Sequence, residues 1–222
     1  MAKQKNTYPK FWKTYADTFE RALPDEIEEV DFVVLDTETT GFDFKKDRIL
    51  SIGALKISNG TISPKTSFEL FLQQETFDSK TVQIHGILKK TKIEQIGELE
   101  ALKTTLKLLE RSVLVAHHVA FDVRMLNEAL KRNGLPRLKN PELDTSVLYN
   151  KSLAKSKRKK EGHYSLDELA NTFNIPKTDR HTALGDAYIT AIAFLHIMEK
   201  LKPVSLKQLL KKDRFGWLWN SF

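Results

Sequence analysis

Five side chains capable of chemistry stand apart from the rest of the chain: Asp36, Glu38, Asp122, His181 and Asp186. Asp36 and Glu38 follow directly on Val30-Asp31-Phe32-Val33-Val34-Leu35. That run is rich in β-branched residues and reads as a strand buried on both faces, hence central in a sheet. On a strand, side chains at i and i+2 share a face, about 7 Å apart. Two ionised carboxylates so placed repel each other and lose hydration. A hard divalent cation bound through oxygen would relieve both effects. The alternative is a strand end finished by solvated acids, with Thr37, Thr39, Thr40 and Gly41 as ordinary turn residues.

Asp122 opens a helical stretch just after the strand-like Val113–Ala116, where the helix dipole favours a negative charge. Serving that dipole is its alternative role. Asp186 lies within the most apolar helical stretch of the chain, residues 182–200, with Thr190, Ala193 and Ile197 at +4, +7 and +11. That stripe points inward. A buried carboxylate without a partner is unfavourable by roughly several kcal/mol, or becomes neutral. Ligating a cation or pairing within the core would resolve this. His181 stands just ahead of the same helix. A neutral imidazole beside a metal cluster can take a proton from water; the alternative is a surface histidine following Thr178-Asp179-Arg180. His117 and His118 end a strand and could ligate a metal; structural hydrogen bonding is the role favoured for both.

The elements that must position these residues can be read from periodicity and breakers. Residues 8–23 place Phe11, Trp12, Tyr15, Phe19 and Leu23 at helical spacing, with Pro24 and acidic Asp25–Glu29 after them. Residues 48–57 and 66–72 read as two further strands. Asn59-Gly60 between them indicates an antiparallel hairpin, with a connection longer than a tight two-residue turn. Residues 94–110 read as a helix with Ile96, Leu99, Leu102, Leu106 and Leu109 on its apolar side. Residues 120–133 form another, which Gly134 can terminate and Pro136 cannot continue. Residues 151–160, KSLAKSKRKK, hold six positive charges and no acid. They read as a solvated loop, either tracking phosphates or simply solubilising. Ser165 with Glu168 makes a capping box for a helix over 166–173. Strands followed by helices mixed with a further strand predict an α/β domain, a mixed sheet flanked by helices.

Asp36-Thr37-Glu38-Thr39-Thr40-Gly41, His117-His118-Val119-Ala120-Phe121-Asp122 and His181-Thr182-Ala183-Leu184-Gly185-Asp186, taken in order, resemble the motifs of the DEDD-type 3′–5′ exonucleases, in the variant with a catalytic histidine. Ile84-His85-Gly86-Ile87 is similar to a further segment of that family, whose nearest likeness here is the epsilon proofreading subunit of bacterial replicative polymerases. The likeness spans about residues 30–200. It implies a ribonuclease H-like fold and two divalent cations, Mg²⁺ or Mn²⁺. On it, Asp36, Glu38, Asp122 and Asp186 become the metal ligands and His181 the general base. Phe42, His85 and Ile87 become contacts of the terminal nucleotide, together with the main chain at Thr39 and Thr40. Many relatives carry Asn where this chain has His118. The implied activity is release of nucleoside 5′-monophosphates from single-stranded or frayed 3′ ends in proofreading or repair. DNA is preferred, RNA trimming is the alternative, and a non-catalytic nucleic-acid-binding module on a polymerase is a third reading.

Lys+Arg 36 against Asp+Glu 29 gives a formal charge of +7, which favours a polyanionic partner. With no cysteine, disulfides, thiolate zinc sites and cysteine nucleophiles are excluded. No apolar run reaches the ~18 residues of a membrane span. The opening MAKQKNTYPKFW lacks a secretory apolar core, so a cytoplasmic location is expected. The expected organisation is a helical extension over 1–29, the exonuclease domain over 30–200, and a basic aromatic tail over 201–222. In that tail Leu206, Leu209, Leu210, Phe215, Trp217, Leu218, Trp219 and Phe222 are too apolar for a plain linker. The tail either folds back on the domain or docks on another protein such as a polymerase subunit.

Overall fold

A computed structural model describes residues 8–74 and 94–213. Its centre is β1 (Phe32–Thr39). This strand pairs antiparallel with β2 (Ile49–Ser58) and parallel with β5 (Val113–Ala116). β3 (Thr61–Leu72) returns antiparallel along β2, and the short β4 (Gln95–Ile96) and β6 (Glu142–Asp144) pair parallel to β3 and β5. The spatial order is β4-β3-β2-β1-β5-β6, a mixed sheet.

The alternation along β1 explains why it reads as apolar throughout. Phe32 and Val34 enter a core on one side of the sheet, with Val115, Leu55 and Phe194. Val33 and Leu35 enter a second core on the other side, with Leu102, Leu126 and Leu130. The first core is closed by α6 (Ala183–Leu201), and the second by α2 (Glu98–Leu108) and α3 (Ala120–Arg132). Both faces of β1 are therefore dry, as expected of a central strand. The same alternation directs Asp36 and Glu38 towards the α6 side and Thr37 towards the α3 side.

The β2–β3 connection is tighter than expected from sequence. Ser58 pairs with Thr61, and Asn59 and Gly60 both have positive φ, 47° and 66°. That is the two-residue hairpin turn which Asn-Gly favours. Pro64 and the polar residues around it concealed the first half of β3. The helix expected over 94–110 starts only at Glu98. Ile96 lies in β4, and Leu99 is 40% exposed. Leu102, Leu106 and Leu109 of the expected apolar side are buried, and Ala101 and Thr105 complete the stripe.

Among the elements not visible in the sequence are β6 and α4 (Thr145–Ser152). Asp144 ends the strand and caps the helix, accepting from the N–H groups of Ser146 and Val147 at 2.8 and 3.3 Å. The basic segment 151–160 thus begins as the last turn of α4. It continues through a 3-10 turn at Lys155–Lys157. The capping box of α5 (Leu166–Thr172) is present: Glu168 N–H donates to Ser165 Oγ at 3.2 Å and Ser165 N–H to Glu168 Oε2 at 2.8 Å.

The segments flanking the sheet pack on it. α1 (Lys10–Asp17) is shorter than its apolar pattern, and it buries Trp12 and Tyr15 in the second core. The Tyr15 hydroxyl donates to Asn140 Oδ1 at 2.6 Å and accepts from Lys139 N–H at 2.7 Å. After residue 201, α7 (Leu206–Asp213) buries Leu206 and Leu209 in the first core, and Leu206 N–H donates to Asp25 O at 2.7 Å. Phe215, Trp217, Leu218, Trp219 and Phe222 lie outside the described residues. Among the described residues, no helix is long and apolar enough to cross a membrane.

Candidate active site

Asp36 and Glu38 project from the end of β1, and α6 begins directly over that end. What lets α6 come so close is Gly53 of β2, which pairs with Asp36 across the sheet. A Cβ at Gly53 would lie 2.1 Å from the backbone of Ala183 and Leu184. Thr182 caps α6, accepting from Gly185 N–H at 3.1 Å. Asp186 therefore sits in the first turn, at the end of the apolar stripe rather than in its middle, and it is buried. Carboxylate oxygens of Asp36, Glu38 and Asp186 lie within 4.8 Å of one another. Three hard oxygen donors at that spacing fit a divalent ion such as Mg²⁺ or Mn²⁺.

Asp122 approaches the same place from the other side of β1. It is buried in the first turn of α3. Its Oδ1 accepts from Thr37 N–H at 2.9 Å and from the Thr37 hydroxyl at 2.7 Å. Asp122 is close enough to Asp36 for its charge to be felt there, yet it stands outside the three-carboxylate group. The strand alternation accounts for this, since Thr37 faces α3 while its neighbours face α6.

The four acids do not ionise independently. Desolvation, then the charges of Asp122, Asp186 and Glu38, push Asp36 well above the usual carboxylate range. Glu38 rises to about 7, mainly by desolvation and then by the charge of Asp186. Desolvation takes Asp122 to about 7 against the lowering effect of the two Thr37 hydrogen bonds. Asp186 is raised by desolvation, and Arg180 opposes the rise. Burial and mutual repulsion both work against full ionisation of these acids, and a cation bound among them would act in the opposite direction.

Arg180 was missed in the sequence, where it is one more charge in a polar turn. Its guanidinium bonds Asp186 Oδ2 through NH1 and Asp167 Oδ1 through Nε at 3.1 Å. His181 is exposed, has φ 69°, and donates its backbone N–H to Asp186 Oδ1 at 3.3 Å. Its Nδ1 lies 3.4 Å from Arg180 NH1. The fold thus brings the imidazole to the edge of the carboxylates through the same turn that holds Asp186.

The remaining candidates fall into two groups. Thr39 and Thr40 are buried at the end of β1. Their hydroxyls donate to Gly41 O at 2.8 Å and Asp47 Oδ1 at 2.7 Å, and Thr40 N–H donates to Arg48 O. Phe42 is 80% exposed, and its ring centroid lies 5.8 Å from that of Phe121. His85 and Ile87 lie outside the described residues. His117 is structural: Nε2 donates to Tyr164 O and Nδ1 faces the Thr145 hydroxyl, both at 2.9 Å. Desolvation, then the neighbouring His118, lower it to about 3, so it stays neutral. His118 has φ 62°. That is the left-handed region, where Asn, Asp and His are the non-glycine residues found most often.

The family described as Exonuclease matches residues 33–194. The DNA polymerase III subunit epsilon of Aquifex aeolicus is 31% identical over 170 residues, covering 77% of this chain and 81% of that one. The PolC-type DNA polymerase III of Thermotoga petrophila is 34% identical over 196 residues, 88% of this chain. This chain spans only 13% of the length of that polymerase. Among solved structures, E. coli exonuclease I in complex with a dT13 oligonucleotide superposes with a TM-score of 0.68 at 16% identity, over 78% of this chain and 42% of that one. Exonuclease X in complex with 5′ overhanging duplex DNA gives 0.61 at 20% identity, over 82% and 99%. The fold is that of the ribonuclease H-like exonucleases.

Proposed function

The chain belongs to the exonuclease family, and from that membership we propose that it hydrolyses the 3′-terminal phosphodiester of single-stranded or frayed DNA, releasing nucleoside 5′-monophosphates. The observation carrying the reading is the meeting of Asp36, Glu38 and Asp186 oxygens within 4.8 Å, from positions far apart in sequence, with Asp122 beside them. DNA is favoured as substrate because relatives are replicative polymerase subunits and neighbours in fold were captured on DNA. A polymerase subunit is the protein partner that fits those relatives.

Asp36, Glu38 and Asp186, with Asp122, would hold two divalent cations. When bound, such ions supply Lewis-acid stabilisation of phosphoryl oxygens and lower the pKa of water. The chain's own residues do the rest. Thr37 fixes Asp122 by two hydrogen bonds. His181, exposed at the rim, takes the proton of the attacking water. Arg180, already beside Asp186, brings a positive charge to the place a phosphate must occupy. Phe42, open to solvent, offers a face against which an unpaired terminal base can stack.

Incubation of matched 5′-labelled DNA and RNA oligomers with Mg²⁺ or Mn²⁺, with the Asp186→Asn variant as control, tests the reading. Shortening from the 3′ end, preferentially of DNA, abolished by chelator and by the variant, is expected. Wild type that shortens neither oligomer, or an Asp186→Asn variant that retains turnover, overturns it. Preference for RNA would reassign the substrate.

A further inference from the structure

Both oxygens of the Asp186 carboxylate already carry a donor from the turn that precedes α6. Oδ1 accepts the His181 N–H, and Oδ2 is bonded by NH1 of the Arg180 guanidinium. The same NH1 faces His181 Nδ1 at 3.4 Å. The guanidinium charge reaches past Asp186, acting on Asp36 and Glu38 against the mutual repulsion of the acids. One side chain of the protein thus acts on the whole three-carboxylate group as a cation would. It cannot shed that charge by losing a proton.

Arg180 does not depend on Asp186 for a partner. Its Nε donates to Oδ1 of Asp167, in the first turn of α5, at 3.1 Å. Asp167 is partly exposed, and Lys177 Nζ approaches the same oxygen at 4.0 Å. The backbone of the turn is pinned to α6. The Thr182 N–H and hydroxyl both donate to Asp179 O, at 3.2 and 2.8 Å, and a Cβ on Gly185 would lie 2.0 Å from that oxygen. The turn therefore stays in place while the guanidinium, held by Asp167, has a second carboxylate to rest on.

A divalent ion held by oxygen takes its ligands at about 2.0–2.6 Å. On Asp186 Oδ2 such an ion meets a permanent positive charge, and like charges so close repel strongly where water is partly excluded. Building on the reading of Asp186 as a metal ligand, we propose that Arg180 competes with the divalent cation for Asp186, and that Asp167 relieves the competition by drawing the guanidinium away. Cation affinity is then set by two residues, neither of which is a ligand.

Binding of Mn²⁺ alone to the full chain, read from the loss of the free-ion EPR signal without substrate, tests the proposal. The Kd should fall about tenfold in Arg180→Gln and rise about tenfold in Asp167→Asn, the scale on which groups behind metal ligands alter affinity. In the double variant the Asp167 change should matter by less than about twofold, since its effect passes through Arg180. If Arg180 only clamps Asp186 in position, Arg180→Gln weakens binding instead, and that result overturns the proposal. An unchanged affinity in Arg180→Gln, an Asp167→Asn variant that does not bind Mn²⁺ more weakly, or additive effects in the double variant overturn it too. A wild type that binds Mn²⁺ no better than Asp186→Asn sinks the ligand reading itself, and the competition with it. Should Arg180→Gln fold poorly, Arg180→Met, also uncharged and of similar length, takes its place with the same expectation.

Discussion

Thr37 holds Asp122 twice, through its backbone N–H at 2.9 Å and its hydroxyl at 2.7 Å. The strand residue between two candidate ligands thereby fixes a third on another element. Thr37→Val keeps the N–H but removes the hydroxyl donor, leaving an apolar methyl against a buried carboxylate. The Mn²⁺ concentration for half-maximal nuclease activity should rise about tenfold or more, as when other groups behind metal ligands are removed. An unchanged metal titration would show that the hydroxyl has no positioning role.

His181 has a left-handed backbone, φ 69°, so removal of its imidazole is best made with a residue that tolerates that conformation. His181→Asn satisfies this. Its kcat on an oligodeoxynucleotide should fall by about 10²–10⁴, with little change in KM. An effect confined to KM would assign the ring to binding instead.

Gly53 is where the two halves of the site touch. A Cβ there would meet the α6 backbone at 2.1 Å, and backbone cannot rotate away. Gly53→Ala should lower the unfolding free energy in urea by about 3 kcal/mol or more and displace Asp186, with loss of activity. Gly97→Ala, where a Cβ meets nothing within 4 Å, is the matched control and should leave both almost unchanged. Equal urea midpoints for the two variants would disprove the close-contact account.

Asp213 gives stability a pH dependence away from the site. Desolvation, followed by the charge of Asp144, raises it to about 8, and Glu142 adds to the rise. The Asp144 N–H donates to its Oδ1 at 3.2 Å. An unfolded Asp titrates near ~3.9. The folded state therefore binds this proton more tightly, and the stabilisation is complete below about pH 4 and lost as pH rises to about 8. Melting temperature should fall across that interval in the wild type and fall less in Asp213→Asn. Identical slopes would remove Asp213 as the source.

What was legible in the sequence followed from local chemistry. Val113–Ala116 is a strand with the bounds read from its β-branched run, the Ser165–Glu168 box caps α5, and Gly134, at φ 70°, ends α3. Short or tertiary features were not legible. β6 is only three residues long, too short for a periodic signal, and Asp144 passes directly from strand to helix cap. Leu99 followed the helical pattern yet faces solvent, because α2 turns Ala101 and Leu102 to the sheet. Carboxylates beside apolar runs are conspicuous in the sequence, and their assignment as candidate ligands rests on the resemblance of their motifs to the exonuclease family. Thr37 and Arg180 were not conspicuous, since their importance lies in partners 85 residues away for the former and in a competition between Asp167 and Asp186 for the latter.

Asp36 and Asp186 stand at opposite ends of the domain's sequence, and α6 must lie on β2 before their oxygens meet. During synthesis, the β1–β3 meander emerges first and can pair through local turns, whereas α6 is among the last elements made. A ribosome-bound chain that has folded its early strands consequently carries only Asp36 and Glu38 of the candidate site. The candidate site is therefore complete only once the whole domain has folded.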